Sequence, residues 1–347
     1  MTVTAPGPVV STDDVVLFVP DDQRALARVA LRHELTQPRI VPFERRRRGF
    51  ELRLPRPPAD RVEYLLELED RNGETELVPD PSNPLRAPGP FGEKSVIEFP
   101  GYEPPAWLGD EESEAGDVRE LELPGRLAVT ALVWSPVDTD PDQPLPLLLV
   151  HDGPEYAEYC SLLRLFDHLT AFGELLPFRA ALLPPPLDRN QTYSASARYA
   201  RALVEDWLPA LPPFVGRPAG MGASLGALAM LHVHWTRPDA LGGMFLQSGS
   251  YFRRRFDLHE SETARFARIT RFVSRVVGGR AGIEPIPVTL TCGTAEENLA
   301  NNRLLAAALR RQGWQAPLVE HPDAHNWVSW RDALHPHLTE LLIRTAQ

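Results

Sequence analysis

The chain has 347 residues, a formal net charge of -11, 43% hydrophobic residues and 24% charged residues. That length exceeds one ordinary core and predicts two domains. The composition is that of a folded globular protein, and the acidic balance argues against nucleic acid or an anionic membrane as a partner. Cys160 and Cys292 are the only cysteines, which excludes a disulfide scaffold and a C-x-x-C metal site. No run approaches about 18 apolar residues, and residues 1–10 lack the basic start and apolar core of a secretion signal. A cytoplasmic protein with no membrane span is therefore expected.

In chain order, residues 15–19, 50–54 and 62–68, the last with alternating outward charges, predict short strands. Asn72-Gly73 lies between two such runs and predicts a hairpin. A small β-sandwich over residues 1–105 follows, serving either as a packing module or as a wall of a binding cleft. Residues 106–117 close a Pro- and Gly-rich stretch ending in acidic residues and read as a connection. From 118 to 347 the pattern changes. Strand-like runs at 127–134, 145–150, 178–183, 241–246, 288–291 and 318–320 alternate with helical periodicity at 162–169, 197–208 and 225–233. That alternation predicts a mainly parallel sheet with helices on both faces.

Gly222-Ala223-Ser224-Leu225-Gly226 matches G-x-S-x-G and opens a helical run, the pattern of a nucleophile on a tight strand-to-helix turn. The alternative is a Gly-rich helix cap, and Arg217-Pro218-Ala219-Gly220-Met221 is poor in strand formers. An acid and a histidine follow in the order that an α/β-hydrolase requires, each after a later strand: Glu296 or Glu297, then His325 or His321, with His325 preferred because His321 adjoins its strand and Pro322. Serine, imidazole and carboxylate together predict acyl transfer on an ester without cofactor or metal; His232 and His234 lie on different helix faces and outside any metal motif. The Leu225 N–H is one expected oxyanion donor. The second falls in His151-Asp152-Gly153-Pro154-Glu155, with Gly153 or Glu155 as candidates because Pro154 has no N–H.

These residues resemble the enterochelin (ferric enterobactin) esterase family. The likeness rests on Gly222-Ala223-Ser224-Leu225-Gly226, Leu246-Gln247-Ser248-Gly249-Ser250, the string Gly293-x-x-Glu296-x-x-Leu299-x-x-Asn302-Arg303, and His325-Asn326-Trp327 with Trp330-Arg331. It implies an immunoglobulin-like domain before an α/β-hydrolase domain, Glu296 as the acid, and hydrolysis of a ferric catecholate siderophore or similar small-molecule ester. Arg189 and Trp327 are the implied substrate contacts, and the run Arg253-Arg254-Arg255 is either a further cationic contact or a solvated surface. Leu187-Asp188-Arg189-Asn190-Gln191-Thr192-Tyr193 lacks the glutamate that the family carries after its arginine, and Pro154 stands where relatives have an N–H. The rival readings are a feruloyl or acetyl carbohydrate esterase and a catalytically silent binding protein on the same fold.

Overall fold

The computed structural model describes residues 7–35, 38–257, 261–262, 265–279 and 283–346. The chain divides into two compact units, 1–104 with 293–297 and 320–329, and 105–292 with 298–319 and 330–347. The contiguous division expected at 105 differs in one respect, because two loops from the last third of the chain belong to the N-terminal unit.

The strands of the first unit are β1 (Val9–Val10), β2 (Asp14–Pro20), β3 (Leu26–His33), β4 (Ile40–Pro42), β5 (Glu44–Arg46), β6 (Gly49–Pro55), β7 (Arg61–Asp70), β8 (Thr75–Val78), β9 (Arg86–Ala87) and β10 (Lys94–Glu98). They form one sheet in the order β1-β2-β6-β5 and another in the order β4-β3-β7-β10-β9, with β8 beside β7. Side chains at alternate positions meet in one core: Val15 and Leu17, Phe50 and Leu52, Val29 and Leu31, Val62, Tyr64 and Leu66. This is a β-sandwich. The expected hairpin is present, β7 and β8 pairing from Leu66↔Val78 to Glu69↔Thr75. Its turn holds because Gly73 adopts φ 87 and the Asp70 carboxylate accepts from the Asn72 and Glu74 amides. Ala295 and Ala324, one from each inserted loop, join the same core.

The second unit is built on β11 (Asp117–Leu123), β12 (Val129–Ser135), β13 (Leu147–His151), β14 (Arg179–Leu183), β15 (Ala219–Ala223), β16 (Gly243–Gln247), β17 (Val288–Gly293) and β18 (Leu318–His321). Their order is β11-β12-β14-β13-β15-β16-β17-β18. The β11–β12 and β12–β14 pairings are antiparallel, and those from β14 through β17 are parallel. Every residue of β13, β14, β15 and β16 is buried, as in a sheet covered on both faces. The helices are α1 (Gly153–Cys160), α2 (Leu162–Ala171), α3 (Arg189–Tyr193), α4 (Ala197–Arg201), α5 (Leu225–Thr236), α6 (Phe266–Gly278), α7 (Leu299–Arg311), α8 (Trp327–Asp332) and α9 (His337–Ala346).

The central strand β15 has the composition least suited to a strand, and packing explains why. A Cβ on Gly220 would come within 2.4 Å of Met230 Sδ, and one on Gly222 within 2.8 Å of the Gly226 carbonyl carbon. Both contacts belong to α5, so the strand gives up β-formers to let that helix lie against it. Among the described residues, no helix is long and apolar enough to cross a membrane and no His, Cys, Asp and Glu side chains cluster as a metal site.

Candidate active site

Ser224 is the single residue between β15 and α5, at φ 55 and ψ −123. Positive φ is costly for a residue with a Cβ and persists only where the surroundings hold it. Here they do: the Ser224 N–H donates to the Gln247 carbonyl at 2.9 Å, and its own carbonyl accepts from Leu228 at 3.2 Å and Ser250 at 3.2 Å. The hydroxyl is half-buried, 3.1 Å from Ser250 Oγ. Leu225 opens α5, so its N–H is one of the helix-start donors without an intrahelical acceptor, at the positive end of the helix.

A buried network fixes this turn from behind. His151 lies with Nδ1 2.9 Å from the Gly226 carbonyl and Nε2 2.7 Å from Tyr199 Oη. The carbonyl can only accept, so Nδ1 carries the proton and Nε2 accepts from the tyrosine. Burial pushes this imidazole down to about 4 and keeps it neutral. It is therefore a brace for the start of α5. On the other side, Ser248 takes φ 46 and its loop is cross-linked by three side chains. Asn302 bonds both the N–H and the carbonyl of Gly249, Trp330 Nε1 donates to Ser248 Oγ at 3.0 Å, and Gln247 is held by Tyr156 Oη at 2.8 Å and by the Trp330 carbonyl at 3.0 Å. Sequence reasoning placed Gln247, Asn302 and Trp330 in motifs without a role; each is a strut for the loop that carries Ser250.

In the first unit, Glu296 and His325 meet. Nδ1 of His325 donates to Glu296 Oε2 at 2.7 Å, and Oε1 of the same carboxylate accepts the Gly293 N–H at 2.6 Å. Glu296 is buried at 2% exposure. The bond fixes the tautomer and leaves Nε2 as the basic nitrogen. Burial works against the imidazolium, but the hydrogen bond and charge of Glu296 outweigh it and raise the His325 pKa above its ordinary value. Glu297, the competing acid, instead pairs with Arg39. His321, the competing histidine, bonds Ser329 Oγ at 2.8 Å. The loops are joined through Thr294 N–H to the His321 carbonyl at 2.8 Å and Ala295 N–H to the Asp323 carbonyl at 3.0 Å. A Cβ on Gly293 would stand 2.3 Å from that Asp323 oxygen, so only glycine fits.

Arg189 spends Nε and Nη2 on the two oxygens of Asp152, at 3.0 and 2.7 Å, and lies over the Tyr193 ring. This clamps the loop after β13, where Asp152 has φ 51 and Gly153 opens α1. A Cβ on Gly153 would meet Leu182 Cα at 2.4 Å. Burial raises the pKa of the Glu155 carboxylate. Trp327 is half-buried at the first position of α8. His232 and His234 are buried against Phe272 and Trp314, and burial lowers each to about 4.

A mainly parallel sheet with a strand–serine–helix turn at its centre is the α/β-hydrolase architecture. No family model and no curated protein matches the chain by sequence. Solved structures do match it. The chain is similar to the enterobactin esterase of Shigella flexneri, determined in the presence of enterobactin (TM-score 0.73, 19% identity, 99% of each chain covered). The ferric enterobactin esterase of Salmonella typhimurium matches equally well (TM-score 0.73, 20% identity, 99% of this chain and 97% of that one). A ferulic acid esterase from Anaeromyces mucronatus, in complex with ferulic acid, matches a smaller part (TM-score 0.52, 18% identity, 69% of this chain and 94% of that one). The chain shares the fold of these ester hydrolases.

Proposed function

We propose that the chain is a serine carboxylic-ester hydrolase in which Ser224, His325 and Glu296 act as nucleophile, base and orienting acid. The observation that carries this reading is Ser224 held at φ 55 between a buried strand and a helix start. The Glu296–His325 bond of 2.7 Å supports it by leaving a basic Nε2. His325 takes the Ser224 proton as the hydroxyl attacks an ester carbonyl, then returns it to the leaving alcohol; water repeats the sequence and frees the acid. The N–H groups of Leu225 and Gly153 hold the oxyanion, since Pro154 has none. Arg189 acts by clamping this loop through Asp152, and Trp327 contacts the substrate.

The substrate class follows from coverage. Enterobactin esterases match both units of the chain, whereas the ferulic acid esterase matches about two thirds of it. A ferric catecholate siderophore or a similar ester, hydrolysed in the cytoplasm, is accordingly the first reading, and a feruloyl or acetyl carbohydrate ester is the second. The first unit supports an immunoglobulin-like domain, because β1-β2-β6-β5 follows the A-B-E-D order of that fold and β3-β7-β10 its C-F-G order. A fluorophosphonate adduct on Ser224 of the folded protein tests the reaction. Its absence favours a silent binding protein. Comparing hydrolysis of ferric enterobactin, short p-nitrophenyl esters and a feruloylated sugar tests the substrate, and activity confined to the sugar reverses the two readings.

A further inference from the structure

Most arginines that enter ion pairs here do so with good geometry: Arg28, Arg45, Arg126 and Arg189 each lie within 3 Å of a carboxylate oxygen. One group in the second unit departs from this pattern. Arg253, Arg254 and Arg255, from the segment after Ser250, and Arg271 and Arg275, from α6, line a single cavity of about 640 Å³. Its remaining lining is alanine, threonine and serine. Among the described residues, no carboxylate forms an ion pair with any of the five guanidinium groups, although Asp257 accepts from the Arg253 backbone N–H at 2.6 Å. The Nη1 nitrogen of Arg253 is shielded from solvent and has no hydrogen-bond partner.

This arrangement has a cost that the Phe256 ring under Arg255 and the Asp257 carboxylate on the Arg253 amide offset only in part. Arg271 and Arg275 are like charges at i and i+4 on the exposed face of one helix, which weakens that helix. A buried guanidinium nitrogen without an acceptor forfeits its hydration. The chain carries a net charge of -11, so five cations around one hollow are not needed to keep it soluble. Guanidinium groups supply planar, paired donors suited to phosphate and carboxylate oxygens.

We propose that this cavity is a binding site for a small molecule carrying two or more clustered oxyanion groups, phosphate or carboxylate. Such a ligand neutralises the guanidinium charges that line the hollow. The site lies three residues along the chain from Ser250, within roughly 11 Å at full extension. It does not depend on Ser224 being a nucleophile.

The test is calorimetric titration of the full chain with pyrophosphate and with citrate, at ionic strength held constant with sodium chloride. Saturable one-to-one binding is expected, weakened about tenfold or more in Arg271→Ala and in Arg275→Ala and lost in the double variant. Both side chains are exposed, so α6 is expected to survive, and unchanged circular dichroism checks this. Pyrophosphate binding alone identifies a phosphorylated ligand, citrate binding alone a polycarboxylate, and either supports the site. No saturable heat with either anion, or equal binding in the double variant, overturns it.

Discussion

The turn that presents Ser224 and the loops that carry Glu296 and His325 are built on different principles. The serine turn combines close packing with bonds that leave the Ser224 hydroxyl out: Gly220 and Gly222 leave no room for a Cβ against α5, and His151 braces the Gly226 carbonyl. The acid and histidine are held by polar bonds, the Glu296 carboxylate taking one hydrogen from an imidazole and one from a backbone amide. In the first region chemistry can change while geometry survives. In the second, each polar atom is itself the geometry.

Five variants break or sharpen that contrast. Ser224→Ala is expected to lower kcat about a million-fold with circular dichroism unchanged, because only the proposed nucleophile is lost. Retained turnover would remove the serine from the reaction. Glu296→Gln is expected to lower kcat by roughly 10³–10⁴-fold, since the amide stabilises neither the tautomer nor the imidazolium. It should also move the acid limb of the kcat/KM profile. That limb lies above the ordinary imidazole value of 6.5 in the native protein, because Glu296 raises His325, and falls in the variant. Glu297→Gln, which loses a surface pair with Arg39, is expected to change kcat less than about fivefold; the reverse ranking would reassign the acid.

Gly222→Ala is expected to cost about 1–3 kcal/mol, read as a fall in Tm, because its Cβ would strike the Gly226 carbonyl. The smallest effect concerns Asp323, which burial raises to about 7 despite Arg61 nearby. Its folded value lies above the unfolded one, so its contribution is complete below about 4 and is lost as pH rises through 7. Asp323→Asn should flatten that loss in Tm measured from pH 5 to 8, and an unchanged slope would show that Asp323 is not its source.

Much of this was legible in the chain. The hairpin at Asn72-Gly73 and the alternation of strands and helices after residue 118 follow from short-range pattern, which local geometry reads directly. Three matters were not legible. The strand β15 looks poor because its glycines answer to Met230 and Gly226, contacts that propensity does not see. The choice between Glu296 and Glu297 depends on Arg39, 258 residues away. The run Arg253-Arg254-Arg255 reads as a solvated face until α6 brings Arg271 and Arg275 beside it.

The imidazole behind the serine turn makes the stability of its unit depend on pH. His151 resists a proton down to about 4, whereas the same side chain in an unfolded chain accepts one near 6.5. Acidification across that interval therefore lowers folding stability while the bond to Gly226 persists, and alkalinity leaves both intact. Asp323 gives the loop of His325 the opposite preference. The second unit is thus firmest in base and the first in acid, each limited from the opposite side of the pH scale by a single buried residue.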